Sequence, residues 1–186
     1  SISPFIGQLA RDEMRPVPLR AMAVRWLQDI DSPANHAFLS KMARPSDPRL
    51  RIEAIRRLGE SASADATVIL LHICKDRTQQ PVIRTEAIAS LAGNPDPSLV
   101  SLLDDPEPSV RLEAARSLRR LAENTAVQHA ARRKLADLSH DERDLRMRSQ
   151  LEFLVAPEKV SRPSSVRDWQ LLLEKGGDPK AGERVF

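Results

Sequence analysis

The chain has 186 residues with 3% aromatics, no Tyr, one Cys and a net charge of +3. That length can bury a sizeable core in one domain or two. The lone cysteine excludes a disulfide framework within the chain, and no apolar run reaches bilayer-spanning length.

The charge supports solubility and argues only weakly for a polyanionic partner. Val, Ile and Thr fall mostly inside helical-period patterns and Gly is scarce. The 14 Pro sit mainly in short turns between those patterns, so the chain reads as all-α. No signal peptide is visible. Ser at position 1 and a last residue that falls inside a pattern suggest a segment of a longer protein.

In chain order, PFIGQLARDEM is a first helical segment that partners the next one. Five segments then share one template. VPLRAMAVRWL holds Arg20, Ala23 and Leu27. DPRLRIEAIRRL holds Arg51, Ala54 and Leu58. QPVIRTEAIASL holds Arg84, Ala87 and Leu91. EPSVRLEAARSL holds Arg111, Ala114 and Leu118. ERDLRMRSQLEFL holds Arg146, Ser149 and Phe153. An aliphatic residue precedes each Arg, and Pro48, Pro81 and Pro108 stand three residues before theirs. The Arg spacings of 31, 33, 27 and 35 are those of a two-helix repeat. The intervals hold second helices at about 34–43, 65–75, 96–103 and 126–138, separated by Pro- and Asp-rich turns.

The clearest copy runs from Asp105 to Leu121. Val110, Ala114, Ala115, Leu118 and Leu121 form one apolar stripe at the 3.6-residue period. Such a unit cannot cover its own apolar face and must stack on its neighbour. The expected architecture is a right-handed α-solenoid of about five helix pairs over residues 1–156, followed by short C-terminal helices. A small Ala or Ser three residues after each Arg lets neighbouring helices approach closely. Trp26, within the first matched helix, is expected to be a core or inter-repeat anchor.

The pattern Asp-Pro, then aliphatic-Arg-x-x-Ala-x-x-x-Leu, resembles the HEAT repeat in its short bacterial form, from about Ser3 to Ala156. The resemblance implies that the repeat Arg pairs with an Asp in an inter-helix turn, forming a ladder along the solenoid. Arg20, Arg51, Arg84, Arg111 and Arg146 match the Arg position, and Asp47 and Asp105 match the Asp. The first repeat has no obvious Asp in the turn that leads into it, and the third has Gln79-Gln80, so the ladder is incomplete there.

After Ala156 the texture changes. Residues 157–176 read as a Pro- and Ser-rich linker followed by a short helix, SVRDWQLLLEK, whose Trp169 docks it onto the last repeat. Residues 177–186 read GDPKAGERVF. Asp178 suits a helix cap with Pro179 at the first position, and Gly182 and Phe186 then share a face. This resembles the first helix of a class I cytochrome c domain, through Gly177, Asp178, Gly182 and Phe186 as a packing motif and not as haem ligands. The arrangement is similar to multidomain haem-binding proteins of planctomycete type. It implies haem c attached downstream in the parent protein, no cofactor in this chain, and an extracytoplasmic location. If the cytochrome reading fails, a cytoplasmic location is expected.

Of the four His, none makes an HxxxH, an HExxH or a His-Glu pair. His-Glu pairs are what a HEAT-like di-iron hydroxylase requires. No nucleophile elbow, phosphate loop or dinucleotide fingerprint is present. Cys74, in the run TVILLHIC, reads as a small buried hydrophobe, and His72 in the same helix as a core or interface residue. A basic patch of Arg116, Arg119, Arg120, Arg132, Arg133 and Lys134 is the best case for nucleic acid. The near absence of stacking aromatics counts against it. The expectation is a non-catalytic scaffold for neighbouring domains or a protein partner. The alternative is a basic solenoid that binds nucleic acid or an acidic protein.

Overall fold

A computed structural model describes residues 3–44, 47–138, 145–155 and Arg167. The GDPKAGERVF segment, with Gly177, Asp178, Gly182 and Phe186, lies outside the described residues, as do Trp169 and, Arg167 apart, the expected linker and docking helix.

All regular structure among the described residues is helical. The helices are α1 (Ser3–Arg11), α2 (Val17–Arg25), α3 (Pro33–Met42), α4 (Pro48–Gly59), α5 (Ala64–Lys75) and α6 (Pro81–Leu91). A 3₁₀ helix η1 (Pro97–Asp104) follows, then α7 (Pro108–Ser117), a short 3₁₀ turn η2 (Leu118–Leu121), α8 (Thr125–Asp137) and α9 (Leu145–Val155). Pro occupies the first position of α3, α4, α6, η1 and α7, where its missing N–H and fixed φ suit a helix start. Side-chain caps complete several starts. Asp47 accepts from the N–H of Arg49, Ser63 from Asp65, Asp96 from Ser98, and Asn124 from both Ala126 and Val127.

The helices pair as the sequence repeat requires. α1 packs on α2, α3 on α4, α5 on α6, η1 on α7 and α8 on α9. The second members form one continuous layer in the order α2, α4, α6, α7, α9, each touching the next. The result is an α-solenoid with five helix pairs among the described residues. One hydrophobic cluster runs its whole length. Counted from the repeat Arg, the residues at −1, +3, +4 and +7 are buried in the three central copies. They are Leu50, Ala54, Ile55 and Leu58; Ile83, Ala87, Ile88 and Leu91; and Val110, Ala114, Ala115 and Leu118. Each large aliphatic among them contributes about 1.5–3 kcal/mol by leaving water.

Small residues set the distance between layers of the stack. A Cβ on Gly59 would lie 2.6 Å from both Cβ and O of Ser90, so the end of α4 can meet α6 only through a glycine. Ser117 donates to the carbonyl of Ile88 at 3.1 Å and ties α7 to α6. The interval between Arg84 and Arg111 is the shortest, and it is where an eight-residue 3₁₀ helix replaces a full α-helix.

Two expectations change here. Trp26 is not an anchor: it ends α2 with 67% of its surface exposed. The fifth copy is also two residues later than the sequence template. Met147, Leu151 and Leu154 are buried, whereas Leu145, Arg146 and Ser149 face solvent. The side chain in the repeat-Arg position is therefore Arg148.

Candidate functional site

The repeat arginines are drawn inward because the layer geometry points them at the end of the preceding helix. Arg20, Arg51 and Arg84 are all buried. Each donates its Nε–H to a carbonyl there: Arg20 to Ala10 at 3.3 Å, Arg51 to Ala43 at 2.9 Å and Arg84 to Cys74 at 2.9 Å. These bonds satisfy carbonyls that a helix C-terminus leaves unpaired. Arg111 is half-buried and reaches the carbonyls of Asp105 and Pro106, at 2.8 and 3.0 Å. Arg148 reaches that of Leu138 at 3.2 Å, and exposed Arg146 does not take part.

Arg84 holds a bidentate carboxylate as well. Its terminal nitrogens donate to Asp105 at 3.0 and 2.5 Å, with both side chains buried. Asp105 follows η1 and also accepts the N–H of Glu107. Burial pushes the Asp105 carboxyl up, but the hydrogen bonds from Arg84 and Glu107 prevail and hold it below the usual carboxylate value. Asp47 stands elsewhere: it caps α4 and is exposed.

Asp76 occupies for α5 the position that Asp105 occupies for η1, immediately after the helix. It does not grip Arg51. The loop from Asp76 to Pro81 is two residues longer than that from Asp105 to Pro108. The extra length brings Gln79 and Thr78 onto the carboxylate. Gln79 donates at 2.6 Å, and Thr78 donates its hydroxyl at 2.7 Å and its N–H at 2.9 Å. These bonds, led by that from Gln79, bring the Asp76 carboxyl down to about 2. The Arg51 guanidinium makes only its bond to Ala43 among the described residues. Burial lowers its pKa from the ordinary value, opposed by the nearby charge of Asp76.

A second line of charge crosses the outer face of the Arg-helix layer. Arg25 on α2 donates twice to Glu53 on α4, at 3.1 and 2.6 Å. Arg56 bridges Glu53 at 3.1 Å to Glu86 on α6, which it holds at 2.8 and 3.1 Å. Glu53 is 7% exposed, and its partners, Arg25 foremost, hold its pKa below the ordinary value against burial. The spacing explains the pattern. Glu stands two residues after the repeat Arg in α4, α6 and α7, and Arg stands five after it in α2, α4 and α7. In α6 that place is Ala89, and the chain of ion pairs stops. Glu113 then pairs with Arg116 on its own helix at 3.2 Å.

The members of the basic patch are largely engaged within the chain. Besides Arg116, Arg119 lies over the Phe153 ring at 4.0 Å and Arg120 donates to the carbonyl of Gly93 at 2.6 Å. Arg133 and Lys134 face Asp104 at 3.8 and 3.0 Å. Arg132 is exposed on α8. Cys74 is wholly buried, which pushes its thiol up to about 11; that suits a packing residue rather than a nucleophile. His72, expected in a core or interface, is exposed. No group of three or more His, Cys, Asp or Glu among the described residues is placed to hold a metal ion. No helix of the described residues is long and apolar enough to cross a membrane.

Residues 3–92 match the family described as HEAT repeats, and residues 97–125 match the HEAT repeat. The chain carries HEAT repeats. The matches cover α1 to α6 and η1 to the start of α8, so both central features, the Arg84–Asp105 pair and the ion chain, are HEAT features of this chain. Among curated proteins, the chain is similar to deoxyhypusine hydroxylases. It is 29% identical to that of Homo sapiens over 98 residues, 53% of this chain and 32% of that protein. It is 32% identical to that of Drosophila melanogaster over 100 residues, 54% of this chain and 33% of that protein. It is 28% identical to that of Gallus gallus over 120 residues, 62% of this chain and 40% of that protein. The match therefore spans about a third of the length of these relatives.

These relatives correct the expectation of a non-catalytic chain, because they are enzymes by name. The four His of the sequence stand in none of the His-Glu pairs that a HEAT-like di-iron hydroxylase requires. Similarity over the repeats is visible in comparison with whole sequences and not in that one motif.

Proposed function

We propose that the HEAT repeats of this chain are the framework of a larger haem c-binding, electron-transfer protein, in which they space and orient the haem domain against a neighbouring domain or protein partner. The observation that carries the framework role is the unbroken layer α2–α4–α6–α7–α9 over one continuous core. Each repeat in such an array touches only its neighbours, and the array as a whole sets a distance. The haem assignment is supported by the resemblance of GDPKAGERVF to a cytochrome c helix. Haem c attachment goes with an extracytoplasmic location. Producing the natural full-length protein together with c-type haem maturation tests this reading. Haem that stays on the denatured polypeptide is the expected result, and its absence overturns the haem assignment.

The curated relatives favour a second reading, in which the HEAT array is the framework of an enzyme that hydroxylates deoxyhypusine. On that reading the reacting groups lie outside the described residues. Gain of one oxygen by a deoxyhypusine-bearing substrate, followed by mass spectrometry with the full-length protein, is its signature. An unchanged mass overturns it.

A further inference from the structure

The layer of first helices has a gap in it. The C-terminal half of α3 and the face of α5 leave between them a pocket of about 510 Å³, whose lining includes Ser40, Arg44, Arg51, Val68, Ile69 and Ile73 together with His72, Asp76 and Gln79. The next interval is bridged by a side chain. There Lys75 at the end of α5 donates to Ser98 on η1 at 2.8 Å.

The pocket contains an unfinished polar site. Arg51 is 8% exposed, and its terminal nitrogens make no hydrogen bond among the described residues. Buried Ser40 Oγ has no hydrogen-bond partner either. A buried guanidinium without a carboxylate is costly to maintain, and its planar fork is matched by a planar, bidentate anion. The same molecule shows what completes such a fork. One repeat on, the equivalent Arg84 has the same Nε–carbonyl bond and holds the Asp105 carboxylate on its two terminal nitrogens. The side chain that would do this for Arg51 is Asp76, which Gln79 and Thr78 hold.

We propose that this pocket binds an aliphatic monocarboxylate, its head on Arg51 where Asp105 sits on Arg84, and its tail against Val68, Ile69 and Ile73. The assignment favours a carboxylate over a phosphate for two reasons. Asp76 also lines the pocket and repels a second negative charge, while Arg44 and Arg51 balance one. Val68, Ile69 and Ile73 give the pocket an aliphatic wall beside these polar groups, and apolar walls with few convergent polar groups are the mark of a small-molecule site.

Octanoate is the probe, with acetate and inorganic phosphate beside it, and the readout is amide chemical shift and melting temperature. Octanoate is expected to give saturable shifts confined to α3, α5 and the start of α4, and to raise the melting temperature with concentration. Acetate should bind about tenfold or more weakly, since it lacks the tail. Arg51→Met removes the fork. Val68→Asp places a negative charge at a side chain that is 64% exposed, so the fold is retained and affinity should fall about tenfold or more. The inference is overturned if octanoate gives no saturable shift up to about 10 mM. It is equally overturned if Val68→Asp binds as the parent does, or if phosphate binds as tightly as octanoate.

Discussion

Arg84 and Asp105 face each other through two hydrogen bonds, 3.0 and 2.5 Å long, with side chains only 3% and 1% exposed. They join the third helix pair to the fourth. Removing one partner strands the other as a buried charge, a loss of about 3–5 kcal/mol. Asp105→Ala is expected to cost this much in chemical denaturation. The double variant Arg84→Met, Asp105→Leu should recover most of it, because replacing both charges with apolar groups removes the stranded ion. A double variant as unstable as the single one would show that the pair is not what the site depends on.

Acid should weaken the protein through the same groups. Asp105 and Glu53 have folded pKa values below their ordinary ones, and Asp76 is down to about 2. A depressed folded pKa means that the unfolded chain binds the proton more readily. The stabilisation is then complete above the unfolded value near 4 and is lost as pH falls through the folded values. The melting temperature should hold above about pH 5 and drop progressively between about pH 4 and pH 2. Asp105→Asn should show a shallower drop, since one of the titrating groups is gone.

The ion chain Arg25–Glu53–Arg56–Glu86 stops at α6 because position 89 is Ala. Ala89 is exposed and stands where Arg25 and Arg56 stand in their own repeats. Ala89→Arg should reach Glu113 and carry the chain onto α7, a gain of about 0.2–1 kcal/mol that shrinks with added salt. Thermal melts at low and high salt measure it. A loss of stability, or a gain indifferent to salt, would contradict the register.

Much of this was legible in the residues, and the rest failed for identifiable reasons. The stripe of Leu50, Ala54, Ile55 and Leu58, repeated in α6 and α7, announced the layer because burial follows the helical period. The last copy slipped by two residues because ERDLRMRSQLEFL has an aliphatic-Arg pair at both Leu145-Arg146 and Met147-Arg148. Only packing against α8 selects the second. Asp47 and Asp105 look alike as turn residues, yet Asp47 is used up as a helix cap, and no pattern distinguishes a cap from a rung. The diversion of Asp76 to Gln79 depends on loop length. The exposure of Trp26 depends on what does not pack against α2. The first can be counted in the sequence but its effect on Asp76 cannot, and the second is a three-dimensional fact.

A framework must hold a fixed distance. Met14 is 91% exposed near the first pair, and Glu152 is exposed on α9. Cysteines introduced there can carry spin labels while Cys74, fully buried with its thiol pushed up to about 11, stays unlabelled. The distance distribution between the two labels, measured by double electron–electron resonance, tests the scaffold directly. A continuous solenoid predicts one narrow peak. A broad or multi-peaked distribution would contradict it.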